Sequence, residues 1–296
     1  MNRESWRADG LLFLAAMIWG FSFVAQRAGM AHTGPFAFNA VRFALGALTV
    51  LPFLRARRRE TPPLPAPALL RAGAAAGTAL FLAVSLQQIG IVSTTAGKAG
   101  FITGLYVVIV PLLGLFLGRR AGRGTWAGGI LAAAGFYLLS VRSGLRLAPG
   151  DGLVLAGAFF WAVHVMVVDR FVRRTGALPL ALLQFTLCAV LSAAAALVFE
   201  TVDPAGIRAA ALPILYGGVM SVGVAFTLQV IAQRSAPPAH AALLLSLETV
   251  FAALGGALLL GEGMDGRGAL GCAAILGGIL LSRFAGGAER SAPGGA

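Results

Sequence analysis

Charge is scarce in this chain of 296 residues, of which 11% are Asp, Glu, Lys or Arg, against roughly 25% in a soluble domain. That scarcity excludes an ordinary solvated surface. Cysteine is just as thin. Cys188 and Cys272 lie in apolar runs without CxxC spacing, which argues against a disulfide or a thiolate metal site and leaves packing as their role. The three histidines, His32, His164 and His240, form neither an HExxH pair nor a Ser-His-acid set. No GxxxxGK[ST] stretch exists, so ATP-driven pumping would need a partner. No cofactor and no metal is expected. Lys98 is the single lysine, and the arginine bias most simply reflects a GC-rich genome.

What the chain has is hydrophobic length, with 58% of residues apolar. Runs of ~17–22 apolar residues recur, and a bilayer core needs ~20 per helix. The spans read 9–28, 36–54, 68–90, 95–118 and 124–141, then 151–169, 178–198, 212–233, 238–260 and 266–284. Their length and their Ala, Leu and Gly content predict helices, since barrel strands would show ~10-residue alternation. The 40 glycines suit close helix-to-helix approach in lipid.

The chain is also written twice. A shift of 151−9 = 142 residues carries Asp9-Gly10-Leu11 onto Asp151-Gly152-Leu153, Trp19 onto Trp161, Phe43 onto Phe185 and Leu86-Gln87 onto Leu228-Gln229, with no gap. Residues related by this shift are called mates below. The expected fold is an all-α membrane protein of ten helices, with one five-helix repeat over 9–141 and a second over 151–284. Five crossings reverse direction, so the second repeat is expected upside down, the architecture of secondary transporters.

The net charge of +12 orients the chain and does not imply nucleic acid. With the N-terminus in the cytoplasm, 15 basic residues fall on that side and 6 on the other, leaving Arg42 within a span and Arg71 at a span edge. This is the positive-inside bias, and it predicts both termini in the cytoplasm. The first span is too long for the apolar core of a signal peptide and is expected to be retained. Residues 55–67 read as a solvated loop, 142–150 as the link between halves, and 286–296 as a disordered tail.

Polar groups inside spans are costly in lipid and tend to face a cavity. Arg42 lies roughly 10 Å into its helix at 1.5 Å per residue. It either grips an anionic group or pairs structurally, and its mate is the neutral Gln184. Glu248, with mate Tyr106, is the most deeply placed acid, either a proton carrier or a helix fastener. Gln87 and Gln229 are mates that can read polar groups or tie helices. The mates Trp19 and Trp161 sit mid-helix, away from the interfacial belts. His164 is a weaker interior candidate. The mates Lys98 and His240, each near the start of a helix, either snorkel to the interface, the favoured reading, or act as a gate or substrate contact on opposite membrane faces. Pro111 is expected to kink its helix.

Several stretches resemble the drug/metabolite transporter superfamily, specifically its EamA-type members, over about residues 9–284. They are WGFSFV at Trp19–Val24, Arg42, TTAGKAGFITGLYVVIVPLL at Thr94–Leu113, LLSLETVFAALGGALLLGE at Leu244–Glu262, and the Gly-rich last span. Thr249 stands where that family commonly has proline, and the partner position of Glu262 is Arg120. The resemblance implies a carrier of small metabolites, often amino acids, in the bacterial inner membrane, by efflux or import. It also implies a cavity lined by helices 1, 3 and 4 with mates 6, 8 and 9. The expected substrate-binding set is Trp19, Arg42, Gln87, Tyr106, Trp161, His164, Gln229 and Glu248. Partners are the small-molecule substrate and membrane lipids, with oligomeric state open. A polytopic membrane enzyme or a channel is the alternative, against which stand the missing catalytic cluster and selectivity ring.

Overall fold

A computed structural model describes residues 3–57, 66–94, 96–118, 121–140, 148–260 and 266–289. Arg120 and Glu262 lie outside that set, as do most of the loop after Arg57, the link before Ala148 and the chain after Glu289. All the regular structure among the described residues is helical. In order, the elements are α1 (Arg3–Gly29), α2 (Pro35–Arg57), α3 (Ala66–Val92), α4 (Ala96–Gly104), α5 (Tyr106–Phe116), α6 (Arg123–Ser140), α7 (Pro149–Thr175) and α8 (Ala177–Phe199). Then come α9 (Pro204–Ala209), α10 (Ala211–Leu215), a π-helical stretch (Tyr216–Phe226), α11 (Thr227–Ala232), α12 (Pro238–Leu245), α13 (Glu248–Leu260) and α14 (Gly266–Glu289). Eight helical stretches are long and apolar enough to cross a membrane, and Gly266–Ser282 is a shorter apolar helix. The expected fifth span is α6, with 18 residues, which is not among those eight. The helix α14 runs on to Glu289, so 286–289 are not the coil expected for the tail.

Three expected single spans are subdivided. The run 95–118 breaks at Leu105 and the run 238–260 at Ser246–Leu247, and 105+142 = 247. At both breaks the chain tightens by one residue, through Leu105 N–H to Ile102 O (3.2 Å) and Leu247 N–H to Leu244 O (3.2 Å). These bonds are themselves mates. Pro111 lies inside α5 and does not set the break, because its mate Ala253 accompanies the same break without a proline. Gly104 and Ser246, the mates at the breaks, are weak helix formers. Near the first break the Thr249 hydroxyl donates to Gly100 O at 3.0 Å, a bond that proline could not make. The third subdivided run carries the π-helical stretch, which is rare at eleven residues. Its Gly218 and Gly223 press on α2, where an added Cβ would stand 2.7 Å from the Cβ atoms of Leu45 and Thr49 respectively.

Packing follows the 142-residue shift. The helix α3 lies along α7, and α1 along the π stretch and α11; α1 meets α13 as α7 meets α4 and α5; α6 runs along α14. Two helix ends are capped by side chains far away in sequence. Glu200 accepts from the Phe36 (2.7 Å) and Ala37 (2.9 Å) amides at the start of α2, where backbone donors lack helical partners. Arg27 donates to Ile91 O (2.7 Å) and Val92 O (2.8 Å) at the end of α3, where cations suit the dipole.

Candidate substrate cavity

The centre of the bundle is built from aromatic mates. The rings of Trp19 and Trp161 lie 6.2 Å apart, and those of Phe43 and Phe185 also 6.2 Å. Each of these side chains therefore lies beside its own mate at the centre of the bundle. Phe226 fills the space among them, 4.5 Å from Trp19, 5.6 Å from Trp161, 6.0 Å from Phe43 and 5.9 Å from Phe185. Aromatic contacts at these separations add ~0.5–1.5 kcal/mol each beyond burial.

Around this cluster a cavity is lined by Trp19, Phe23, Gln26, Arg42, Gln87, Thr103, Tyr106, Trp161, Val165, Ser221, Phe226, Gln229, Leu245 and Glu248. Five mate pairs supply ten of these fourteen residues: Trp19/Trp161, Phe23/Val165, Gln87/Gln229, Thr103/Leu245 and Tyr106/Glu248. The remaining four break the symmetry. Gln26 and Arg42 add polarity from the first half, where their mates are Val168 and Gln184, and Phe226 adds bulk where its mate is Val84. Ser221 stands where the first half has Ala79.

The first-half wall is a hydrogen-bonded network centred on Gln87. Its Oε1 accepts from Trp161 Nε1 (2.8 Å) and Thr103 Oγ1 (3.2 Å), while its Nε2 donates to Gln26 Oε1 (3.2 Å). Gln26 in turn donates to Ser22 Oγ (3.2 Å). The opposite wall is wired differently. Trp19 Nε1 donates to Ser221 O (3.3 Å), and Gln229 Nε2 to Gln233 Oε1 (3.0 Å). Gln229 Oε1 is buried without a hydrogen-bond partner, and the mates Tyr106 and Glu248 face each other, the hydroxyl towards the carboxylate. A buried polar group left unpaired is costly, so Gln229 Oε1 marks a place where a polar ligand gains.

Arg42 and Glu248 are 2% and 4% exposed and line the same cavity. Arg42 Nε donates to Asn39 Oδ1 (2.9 Å), and its guanidinium lies 5.0 Å from the Phe43 ring and 5.5 Å from Phe38. Among the described residues no carboxylate pairs with it. A buried cation and a buried acid therefore share one aromatic chamber without neutralising each other by contact.

Of the eight residues expected from sequence, seven line this cavity. His164 does not. Its Nε2 meets Gln184 Oε1 at 2.8 Å, and its ring packs edge-on against Trp161 and Phe226 from behind. Sequence reasoning passed over the other seven, the mates Phe23/Val165 and Thr103/Leu245 together with Gln26, Ser221 and Phe226, whose mates are apolar. It also expected Lys98 and His240 to snorkel, whereas they meet acids, Asp151 at 2.5 Å and Asp9 at 2.8 Å.

The model of the EamA-like transporter family matches residues 6–141 and again 148–284. The chain belongs to that family. Among EamA relatives, an uncharacterized transporter of Archaeoglobus fulgidus is 34% identical over 86% of this chain and 79% of its own length. The uncharacterized inner membrane transporter YedA of Escherichia coli is 30% identical over 72% of this chain and 67% of its own. A probable amino-acid metabolite efflux pump of Salmonella typhimurium is 30% identical over 53% of this chain and 52% of its own. A solved crystal structure superposes with TM-score 0.79 over 96% of this chain and 99% of that one, at 23% identity, a likeness of fold.

Proposed function

We propose that this EamA protein is a secondary transporter that carries a small zwitterionic metabolite, an amino acid or a close relative, outward across the inner membrane by alternating access. In this reading, ten helices form two inverted repeats with both termini in the cytoplasm, and the substrate sits in the central cavity. One observation carries it: Arg42 and Glu248 line a single chamber walled by Trp19, Trp161 and Phe226. Such a chamber offers a cation for a carboxylate, an acid for an ammonium, and aromatic surface for an apolar side chain. Gln229 Oε1, which lacks a partner, and the facing Tyr106 hydroxyl supply further hydrogen bonds. The efflux direction is supported by the likeness to the probable efflux pump of Salmonella typhimurium.

Counterflow in proteoliposomes with a labelled metabolite panel tests the substrate class. Uptake of α-amino acids, with no uptake of their decarboxylated amines or deaminated acids, is the expected result; equal uptake of all three would remove the zwitterion reading. Glu248→Gln separates the roles of the acid. If Glu248 carries the proton, the variant keeps substrate exchange, at weaker apparent affinity because the ammonium loses its charged partner, but loses transport driven by a proton gradient. Unchanged gradient-driven transport in that variant would leave Glu248 as a fastener.

A further inference from the structure

Two ion pairs in this chain are copies of one another. Asp9 and Asp151 are mates, and so are Lys98 and His240. Asp151 on α7 meets Lys98 on α4, while Asp9 on α1 meets His240 on α12. Each pair therefore joins the first helix of one half to the first segment of the broken fourth span of the other half. The pairs lie at opposite ends of the bundle. Arg27 is 18 residues along α1 from Asp9, about 27 Å at 1.5 Å per residue. It caps α3 at Ile91 and Val92, two residues before Thr94, which binds Asp151. The cavity residues Trp19, Phe23 and Gln26 lie between the two ends.

We infer that these pairs are the two latches of the cavity, opening in turn, and that α4 and α12 are the hinged segments they hold. The inference rests on the alternating-access reading above. The helix α4 has nine residues and α12 eight, and each ends at a break that bears a cavity residue, Thr103 or Leu245, on one side and Tyr106 or Glu248 on the other. Breaking the Lys98 pair frees the far end of α4 to swing about Leu105, which carries Thr103 off Gln87 and opens the chamber at that end. Breaking the His240 pair frees α12 about Ser246–Leu247 and opens the other end. The hinge device suits the small, discrete rearrangements of packed helices.

Asp151 also accepts from Thr94 Oγ1 (2.7 Å) and the Ala148 amide (2.7 Å). With the N-terminus inside, the Asp151 latch faces outward and the Asp9 latch faces the cytoplasm.

The test uses the full-length chain in vesicles, with Cys188 and Cys272 replaced by alanine and Val165→Cys as reporter for a membrane-impermeant maleimide applied to either face. Asp151→Asn is expected to raise labelling from outside roughly tenfold relative to inside, and Asp9→Asn to do the reverse. The charge-swapped Lys98→Asp/Asp151→Lys variant is expected to return part of the way to the parent pattern, since lysine restores the ion pair but cannot accept from the Ala148 amide. Equal changes on both faces, no change on either, or a swapped variant as open as the single one would overturn the latches. Opposite-face effects in the reversed order would uphold the latches and overturn the orientation. Face-specific labelling, together with no metabolite counterflow by the unsubstituted chain, would uphold them and overturn the transport reading.

Discussion

At the scale of single residues, Arg42 is the sharpest test of what the cavity binds. Its Nε is held by Asn39 and its plane lies against Phe38 and Phe43, so the side chain is pre-positioned. Arg42→Lys keeps the charge but loses the planar fork that takes a carboxylate by two bonds. We expect apparent substrate affinity to fall about tenfold, equivalent to ~1.4 kcal/mol, with protein level and melting temperature unchanged. Reduced folded protein with unaltered affinity would assign Arg42 to structure. Much of this site was legible in the sequence, because a polar or aromatic residue mid-span with a polar or aromatic mate stands out in an apolar chain. Trp19, Gln87 and Tyr106 were found that way. Gln26 and Phe226 were missed because their mates are Val168 and Val84, so the symmetry that exposed the others concealed them. Ser221 meets Trp19 through its carbonyl, which no side-chain pattern reveals. The pairing of Lys98 with Asp151 was present in the sequence too, as a second set of mates, but nothing in one dimension shows that α4 crosses to α7.

At the scale of elements, backbone approach governs. An added Cβ on Gly135 of α6 would stand 2.6 Å from Gly271 O and 2.8 Å from Ile275 N of α14. Both are backbone atoms that cannot turn aside. Gly135→Ala is expected to cost ~1–3 kcal/mol, the range for overpacking, read as a lower melting temperature in detergent, with the cavity unaffected. A variant that melts like the parent would show that α6 and α14 are not in close register. Helix existence was readable from apolar length, but the breaks at Leu105 and Ser246–Leu247 were not. A proline drew attention to position 111, whereas the break is marked only by Gly104 and Ser246, residues common throughout such helices.

At the scale of the molecule, the arginine distribution and the repeat set the expected topology. Single cysteines at Ser143 and Arg58 should label from opposite faces of the membrane, Arg58→Cys from the cytoplasm. Labelling of both from one face would overturn the ten-helix arrangement. The repeat was read from the 142 residues that separate mates without a gap; in the fold α3 packs on α7 and α1 on α11.

The helix caps add a matter of timing. The amides of Phe36 and Ala37 wait for a carboxylate 164 and 163 residues further on, Trp19 for a carbonyl 202 residues on, and Asp9 for an imidazole 231 residues on. At roughly 5–20 residues per second, the start of α2 is made about 8–30 s before Glu200 leaves the ribosome. Through that interval the first half resides in lipid with its contacts to the second half unmade, and the length of that exposure is set by the pace of translation of the second half.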